Sequence, residues 1–512
     1  MNRVSTLSTV TATTKNKNRY LFDRRLKKNM ICHPLLFFFA KLKETGELPD
    51  LWMAQQSGET IQIEDLGAFS RADVTYYYKK FQILSDNGFF SEIPQREMVS
   101  AVLTADDVKS VLANLRQITF ELTDACNLKC AYCGFGQYYE NLERTGKKFI
   151  DVTAAKQLID YLKEFLDSPL NLSSGRKTFI GFYGGEPLLN FPFIHEIVRY
   201  VNGLNWQNFD FIFTITTNGL LLNEYMEFLV EHNFNTFISL DGDEKNNGYR
   251  VFHNGLSAYN TIFNNVELLR LKYPDYFAER VQFNAVLHNK NSVAEIFHYF
   301  SDHFDKKPAI LPLNTSDIRE DQADNFWKTY VNFEESLHNA EDYSRINQEM
   351  FIKLPSIQEL STFITQVNDF CVNDYTGFFA NSDQPKRTPS GTCFPFSKKL
   401  FVTASGDILA CERISQSFVL GHMGSEGVSL DLQAIADQYN QWFDRLRKQC
   451  GACYYLAQCV QCIFYLDLTD KNTICNRQMT ISQYSQYHGA KLEFLEENPL
   501  LFNRILKEVI IS

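Results

Sequence analysis

The sequence predicts an α/β fold with a parallel sheet, and two observations lead to this prediction. After residue 115, short apolar runs alternate with amphipathic segments, and the alternation repeats six times. Polar motifs follow four of the apolar runs, at the position where ligands gather in parallel sheets. The alternation fits either an open doubly wound sheet or a barrel. With 512 residues, the chain is long enough for two or three domains.

Six apolar runs are predicted to be strands. They are QITFEL (117–122), TFIGFY (178–183), FIFTITT (211–217), TFISL (236–240), VQFNAVL (281–287) and AILPL (309–313). Residues 151–166 and 256–272, which lie between strands, carry apolar side chains every three or four positions. This spacing predicts helices, and Asp151 is a suitable N-cap for the first of them.

The two ends of the chain lack this alternation. The first 110 residues are predicted to be helical and rich in turns, with an aromatic-rich helix within residues 72–90 that ends at Asn87 and Gly88. The tail, residues 491–512, predicts an amphipathic helix that docks on the body of the protein rather than on a membrane.

Composition excludes several classes of function. The net charge of −11 argues against non-specific binding to nucleic acid or to anionic membranes, so neither is expected as a partner. The apolar run at residues 34–40 is too short to span a bilayer, and no signal peptide precedes it. Twelve cysteines without an export signal indicate a reducing, cytoplasmic location, where metal binding explains them better than disulfides do.

The cysteines fall into two groups. The stretch CNLKCAYC supplies Cys126, Cys130 and Cys133 directly after the first predicted strand. The second group consists of Cys393, Cys411, Cys450, Cys453, Cys459, Cys462 and Cys475. Cys32 and Cys371 stand apart. This distribution predicts one site in a catalytic domain and a separate metal-rich domain after it.

Three thiolates on one loop suit a [4Fe–4S] cluster that keeps one iron open for a ligand. The alternatives are a zinc site completed by a distant histidine, or buried cysteines that act as small apolar side chains. The next strand ends carry GGEP (184–187), NG (218–219) and DGD (241–243). Because the carboxyl ends of parallel strands share one edge, these motifs and the cysteine loop are expected to form one site.

The Cys-x3-Cys-x2-Cys spacing, with Tyr132 before the last cysteine, resembles the signature of radical S-adenosylmethionine (SAM) enzymes. The resemblance implies a partial (β/α)6 TIM barrel and a [4Fe–4S] cluster held by Cys126, Cys130 and Cys133. In that family SAM chelates the open iron and is cleaved to a 5′-deoxyadenosyl radical, which abstracts hydrogen from the substrate.

The resemblance also implies which residues contact SAM. The GGEP segment would receive the methionine amino group, and Tyr132 would shield the cluster near the adenine. Arg250 would pair with the methionine carboxylate, although an arginine there is also expected as a solvated charge at a helix start. The residues implied to bind the cofactor are Tyr132, Gly184, Gly185, Glu186, Pro187, Thr217, Asn218, Ser239, Asp241 and Arg250.

The second cysteine group resembles the SPASM extension, which carries two auxiliary [4Fe–4S] clusters in peptide-modifying radical enzymes. The resemblance assigns Cys450, Cys453, Cys459 and Cys475 to the outer cluster, and Cys393, Cys411 and Cys462 to the inner one. Only two residues separate Cys459 from Cys462, where the family pattern has three. The fourth inner ligand is either Cys371 or absent, with Cys371 then a buried thiol. A zinc ribbon over residues 450–462 is the alternative.

The predicted domains are residues 1–112, a module that recognises a peptide leader or merely packs on the barrel; 113–320, the radical SAM partial barrel; 321–385, a helical linker; 386–480, the SPASM domain; and 481–512, a C-terminal helix. In relatives such leader modules are winged-helix folds that add the leader as an edge strand.

The function implied is maturation of a ribosomally made precursor peptide, preferably by a carbon–carbon or thioether crosslink, with a donor such as flavodoxin or ferredoxin. A sulfatase-type formylglycine maturase is the enzymatic alternative, and Asp374 is a candidate for its acid or base. An iron–sulfur electron carrier is the alternative from another class. A carrier needs neither an open iron nor a GGEP segment.

Overall fold

The computed structural model describes residues 5–94, 99–139, 146–172, 177–206, 210–315, 318–367, 388–466 and 473–510. The chain divides into two compact units. We call residues 103–351 and 393–439 the sheet unit, and residues 1–102, 352–392 and 440–512 the terminal unit. The domain boundaries inferred from the sequence remain predictions.

The described strands are β1 (Ser5–Leu7), β2 (Thr9–Thr13), β3 (Arg19–Asp23), β4 (Lys28–Ile31), β5 (Thr60–Ile63), β6 (Gly67–Ser70), β7 (Glu92–Pro94), β8 (Gln117–Glu121), β9 (Thr178–Tyr183), β10 (Phe211–Thr217), β11 (Asn235–Ser239), β12 (Val281–Leu287), β13 (Ala309–Pro312), β14 (Leu400–Val402), β15 (Asp407–Leu409), β16 (Gly421–Gly424) and β17 (Gly427–Ser429).

The described α-helices are α1 (Pro34–Thr45), α2 (Pro49–Gln55), α3 (Arg71–Asp86), α4 (Ala105–Ala113), α5 (Val152–Leu166), α6 (Phe191–Gly203), α7 (Leu222–Glu231), α8 (Tyr259–Lys272), α9 (Pro274–Arg280), α10 (Val293–Phe304), α11 (Ala323–Thr329), α12 (Phe333–His338), α13 (Tyr343–Glu349), α14 (Pro355–Gln366), α15 (Leu432–Ala452), α16 (Ile481–Glu497) and α17 (Pro499–Ile505). None of them has the length and apolar character that crossing a bilayer requires.

The sheet unit is an α/β structure around one ten-stranded sheet with the order β13-β12-β11-β10-β9-β8-β14-β15-β16-β17. Strands β8 to β13 are parallel and are the six predicted strands, each within one residue of its predicted ends. Helices α5, α6, α7, α8 and α10 connect them, as expected for strand–helix repeats. This mostly parallel sheet is consistent with a partial barrel.

Two local predictions are confirmed in detail. Helix α5 begins after Asp151, whose Oδ1 accepts a hydrogen bond of 2.7 Å from the Ala154 amide. Helix α3 ends at Asp86, and Gly88 follows with a φ of 91°, a left-handed conformation that favours glycine. The sequence therefore predicted the N-cap of α5 and the glycine after the end of α3.

An extension of the sheet was not predicted. Strand β14 pairs in parallel with β8, and β15 to β17 continue the sheet in antiparallel order. The Glu121 carboxylate at the end of β8 accepts a 2.9 Å hydrogen bond from the Ala404 amide just beyond β14. The first part of the predicted SPASM region thus lies within the same sheet as the barrel strands.

The described part of the terminal unit contains three small antiparallel sheets, β2-β3-β4, β1-β7 and β5-β6. The prediction of a helical and turn-rich start was wrong about these strands, because three to five residues are too few to show a period. Helices α1 and α3 cover a core that includes Leu21, Phe39, Val74 and Phe81. Helix α16 packs on β2, so this part of the tail docks on the terminal unit itself.

A buried histidine on α16, in the terminal unit, predicts sensitivity to acid. His488 is fully buried against Phe22, with ring centroids 4.6 Å apart, and burial lowers the pKa of His488 to about 3 from its ordinary 6.5. The unfolded chain binds this proton more readily, so the stabilisation is complete above pH 6.5 and is lost as the pH falls towards 3.

We therefore expect the free energy of unfolding to fall less steeply between pH 6.5 and pH 4 in His488→Phe than in the wild type. The difference in slope should correspond to about one bound proton, and urea titrations at each pH measure it. The exposed His338→Gln variant is the matched control and should follow the wild type. A His488→Phe profile that parallels the wild type would contradict the assignment.

Candidate active site at the carboxyl edge of the sheet

The cysteine loop leaves the end of β8 and is held by backbone contacts on both sides. The Asp124 carboxylate accepts hydrogen bonds from the amides of Gly146 and Lys148, at 3.1 and 2.9 Å. Further along, the Lys129 amide donates to the Val251 carbonyl at 2.8 Å. The loop is therefore fixed at its base and in its middle.

The structure brings the three thiols of this loop together. Burial raises the pKa of Cys130 to about 12, with a lowering contribution from Arg250 and raising contributions from the thiols of Cys133 and Cys126. The three thiols are thus close enough to affect one another's charge. The Cys126 Sγ also accepts from the amide of Leu128 at 3.5 Å and from the Asn218 Nδ2 at 3.8 Å.

The GGEP turn passes directly against the cysteine loop. The amides of Gly185 and Glu186 donate to the carbonyls of Thr123 and Ala125, at 2.8 and 2.9 Å. A Cβ on Gly185 would lie 1.8 Å from the Ala125 oxygen, and Gly184 has a φ of 131°. Both glycines are required because the two backbones approach more closely than any side chain allows.

Glu186 joins the ends of β9 and β10. Its buried carboxylate accepts from the Thr217 hydroxyl at 2.8 Å, the Asn218 amide at 2.7 Å and the Leu188 amide at 3.1 Å. Burial raises the pKa of Glu186 to about 7, although these donors act in the opposite direction. Pro187 begins the 3-10 turn Pro187–Asn190. Contacts of these residues with SAM remain predictions.

Asp241, after β11, is the centre of a buried charged network. Its carboxylate accepts from Arg250 Nε and Nη2 at 3.1 and 2.9 Å, from the Val286 amide at 2.9 Å and from the Tyr132 hydroxyl. His288 Nε2 lies 3.5 Å from Oδ2. Burial alone would raise the pKa of Asp241, but the charge of Arg250 and the His288 contact lower it to about 2.

This network positions Tyr132 beside the cysteines. The Tyr132 ring stacks on His288 with centroids 5.4 Å apart, and the Arg250 guanidinium carbon lies 5.5 Å from the centre of the same ring. Arg250 is buried and paired with Asp241, so the expectation of a solvated charge is not met. Ser239 ends β11, half-buried at the same edge.

Sequence reasoning missed His288. It is fully buried and follows β12 directly, at the same edge as the other motifs. Its position directly after a predicted strand was the available signal, since the GGEP, NG and DGD motifs share that position.

A second group of thiols lies in the terminal unit. The pKa of Cys450 is raised to about 12 by burial first and then by the thiols of Cys459, Cys453 and Cys475. These four are the residues that the SPASM resemblance assigns to the outer cluster. The structure thus brings this quartet together, while its binding of a cluster remains a prediction.

The chemistry of the quartet suits an iron–sulfur cluster. Hydrogen bonds from the backbone lower the pKa of these thiols against the effect of burial: from Ser390 for Cys450, from Met479 and Tyr455 for Cys453, and from Gln461 and Gly391 for Cys459. The Met479 amide lies 3.4 Å from the Cys453 sulfur. Amide hydrogen bonds of this kind stabilise thiolates and tune the potential of a bound cluster.

The proposed inner ligands are less complete. Cys393 and Cys411 belong to the sheet unit and Cys462 to the terminal unit. Burial and the neighbouring Glu412 raise the pKa of Cys411 to about 11. Cys371 and Asp374 lie outside the described residues.

No described group of three or more Cys, His, Asp or Glu side chains is arranged to hold a single metal ion. Thiolates around a four-iron cube are spaced more widely than those around one ion, because each binds a different iron.

Comparisons with known proteins identify the domain. The profile of the Radical SAM superfamily matches residues 120–300. The chain contains a radical SAM domain. The match confirms the recognition of this domain from the cysteine motif.

Three curated proteins show the breadth of the similarity. An uncharacterized protein of Methanocaldococcus jannaschii is 34% identical over 33% of this chain and 58% of its own length. A cysteine-type anaerobic sulfatase-maturating enzyme of Clostridium novyi is 30% identical over 34% of this chain and 45% of its own. The radical SAM cyclopropyl synthase TigE of Paramaledivibacter caminithermalis is 23% identical over 41% of this chain and 40% of its own. The chain thus spans between 40 and 58% of the length of these relatives.

This chain is similar in fold to the solved structure of native anSMEcpe with bound AdoMet and Cp18Cys peptide. The TM-score is 0.51 at 17% identity, over 77% of this chain and 99% of that one. At this identity the likeness concerns the fold alone.

The close approach of Gly185 to the cysteine loop yields a first prediction for this site. Gly185→Ala should displace the loop and reduce SAM cleavage about a hundredfold, because ångström-scale misplacement of reacting groups has that effect. Anaerobic 5′-deoxyadenosine assays and iron analysis measure the result. Gly134→Ala, in the same loop with nothing within 4 Å of the added Cβ, is the control and should retain activity. Equal activities of the two variants would contradict the packing argument.

The Asp241–Arg250 pair yields a second prediction. Asp241→Asn leaves the Arg250 charge buried without a counter-charge, so the free energy of unfolding should fall by about 3–5 kcal/mol. Urea titration of the apo protein measures this fall. The control is Glu244→Gln, since Glu244 lies exposed three residues further on. A loss no larger in Asp241→Asn than in Glu244→Gln would show that Asp241 does not neutralise Arg250.

Proposed function

We propose that the protein is a radical SAM enzyme that modifies a ribosomally synthesised precursor peptide, preferably by forming a carbon–carbon or thioether crosslink. Its cofactors on this proposal are a [4Fe–4S] cluster at Cys126, Cys130 and Cys133, SAM, and two auxiliary [4Fe–4S] clusters. A reduced flavodoxin or ferredoxin would supply electrons, in the cytoplasm.

One observation carries the proposal. A radical SAM domain and, outside it, a quartet of thiols occur in one chain. A radical initiator alone requires only the first set of thiols. The additional clusters suit a net oxidation. Crosslinking removes two electrons and two protons from the peptide. One electron leaves with the hydrogen atom taken by the 5′-deoxyadenosyl radical, and the second needs an acceptor, which an auxiliary cluster would supply.

The chain's own residues prepare the radical SAM site. When bound, the cluster and SAM supply a 5′-deoxyadenosyl radical that abstracts hydrogen from the peptide. Glu186 fixes the turn after β10, and Asp241 fixes the Tyr132 ring. An apolar cluster excludes water beside Cys130; its buried members are Tyr132, Tyr138, Tyr139, Leu313 and Phe326. Exclusion of water strengthens the electrostatic interactions inside the site.

Two observations support a peptide as the substrate. The solved anSMEcpe structure contains both bound AdoMet and the Cp18Cys peptide. In the terminal unit, β4 is the outer strand of its three-stranded sheet, and its residues are mostly exposed. The leader-recognition role that we propose for the first 112 residues would use such an edge, because an extended peptide can add to it as a further strand.

A sulfatase-type formylglycine maturase is the second candidate. The Clostridium novyi relative favours it, as the most similar protein of stated activity among the three described above. The electron-carrier alternative is disfavoured by the GGEP turn and the Asp241 network, because a carrier has no use for a cofactor pocket at the strand ends.

The division of roles between the thiol groups is testable. Cys126→Ala should abolish release of 5′-deoxyadenosine, whereas Cys475→Ala should retain part of this release and lose the modified peptide. Cys32→Ala is the control, because the Cys32 thiol only packs against the core of the terminal unit. Full peptide modification by both site variants would overturn the proposal.

Mass spectrometry of a co-expressed peptide separates the two candidates. The neighbouring small open reading frames supply the peptides to be tried. A crosslink removes two hydrogen atoms per event and ties two residues together in fragment spectra. Conversion of cysteine to formylglycine exchanges sulfur for oxygen as well and leaves a carbonyl that reacts with hydrazide probes. The second result would replace our preferred reaction with the sulfatase-type one.

A further inference from the structure

A buried arginine in the terminal unit lacks an ion-pair partner. Arg24 follows β3 and is only 5% exposed. Its Nη2 donates to the Thr6 hydroxyl at 3.0 Å and to the Leu7 carbonyl at 2.7 Å, while its buried Nε has no hydrogen-bond partner. Among the described residues, no carboxylate forms an ion pair with the guanidinium.

The neighbouring carboxylate is occupied elsewhere. Asp23 accepts from the hydroxyls of Ser8 and Thr9 at 2.6 and 2.8 Å, and from the amides of Arg25 and Leu26 at 3.0 and 2.8 Å. Burial lowers the pKa of Arg24, with opposing contributions from Tyr454, Tyr484, Asp23 and Cys453. A buried charge without a partner is costly, so a folded protein that retains one has a reason to do so.

Arg24 contacts a residue that is adjacent in sequence to one cysteine of the thiol quartet. The guanidinium carbon lies 4.0 Å from the centre of the Tyr454 ring, and the Tyr454 hydroxyl accepts from the Leu7 amide at 3.0 Å. Tyr454 follows Cys453 directly, and the charges of Arg24 and Cys453 affect each other. The side chain therefore packs against the residue that directly follows one of the proposed outer-cluster ligands.

We propose that Arg24 is the counter-charge of the outer auxiliary cluster, favouring its binding and raising its reduction potential. Four thiolates around a four-iron cube leave the site net negative, and reduction adds one more negative charge. A nearby buried cation stabilises both states and the reduced one more strongly, because charges interact strongly away from water. This inference rests on the cluster assignment in the proposed function.

The role is one of tuning by charge. Arg24 does not ligate iron, and its two hydrogen bonds to β1 would exist with or without a cluster. What the cluster adds is the missing negative partner. In a purely structural role, the loss of Arg24 would weaken the empty and the loaded protein equally.

Redox titration tests the inference in the full chain. The variants are made in a Cys126→Ala, Cys130→Ala, Cys133→Ala background, so that only auxiliary clusters contribute to the electron paramagnetic resonance signal. The signal that disappears on adding Cys475→Ala identifies the outer cluster. In Arg24→Met, the ratio of reduced to oxidised outer cluster should be about tenfold lower at a fixed solution potential. This change corresponds to a reduction potential lower by about 59 mV for one electron.

Two further variants sharpen the result. Arg24→Lys keeps the charge and should keep most of the wild-type potential. Arg19 lies on β3 and is a half-buried cation 5.9 Å from the centre of the Phe37 ring. Arg19→Met should therefore leave the reduction potential of the outer cluster unchanged. An unchanged potential in Arg24→Met, or equal shifts in Arg24→Met and Arg19→Met, would overturn the inference.

A measurement of melting temperature distinguishes the loss of the counter-charge from a general folding defect. Cluster binding should raise the melting temperature less in Arg24→Met than in the parent, while the iron-free proteins melt alike. A Met variant that fails to fold without iron, or that loses equal stability in both states, would overturn the inference. If Cys475→Ala and its parent hold equal iron, the cluster assignment itself fails. If the cluster is present but insensitive to Arg24, only this inference fails.

Discussion

The candidate site depends on one close backbone contact. The turn after β9 donates two amide hydrogen bonds to the start of the cysteine loop after β8, and glycines at 184 and 185 are what allow it. This contact fixes the cysteine loop relative to the sheet before any cofactor binds. Every other feature of the site, from the thiols to the Tyr132 ring, takes its position from that loop or from the strand ends beside it.

Two buried carboxylates then hold the site together in different electrostatic states. Asp241 is kept ionised by Arg250 and receives donors from three neighbouring segments. Glu186 has no cationic partner among its contacts and relies on three neutral donors, so its pKa rises towards neutrality. The first is a rigid charged centre that orients an aromatic ring. The second ties two turns together through hydrogen bonds to its carboxyl oxygens. Both are preorganised, which is what positioning of a reactive cofactor requires.

The sequence predicted the parts whose signal is local. The six parallel strands were predictable because each is a short, mainly apolar run between amphipathic segments, and the thiol quartet because its spacing resembles a known pattern. Pairing of β14 with β8 could not be predicted, since it joins residues almost 300 positions apart through only three residues of strand. Strands β1 to β7 were missed for the same shortness. His288 and Arg24 lie outside recognised motifs, and their roles follow from burial and from their neighbours, which only the fold reveals.

The central claim is that three cysteines hold a cluster whose fourth iron is open to SAM. Electron–nuclear double resonance of the reduced, air-free protein with SAM labelled by nitrogen-15 in its amino group tests this most directly. The account predicts a nitrogen-15 hyperfine coupling to the cluster, which is present in the Cys475→Ala variant and absent without Cys126. A fully loaded cluster that shows no coupling to the labelled amino group would contradict it.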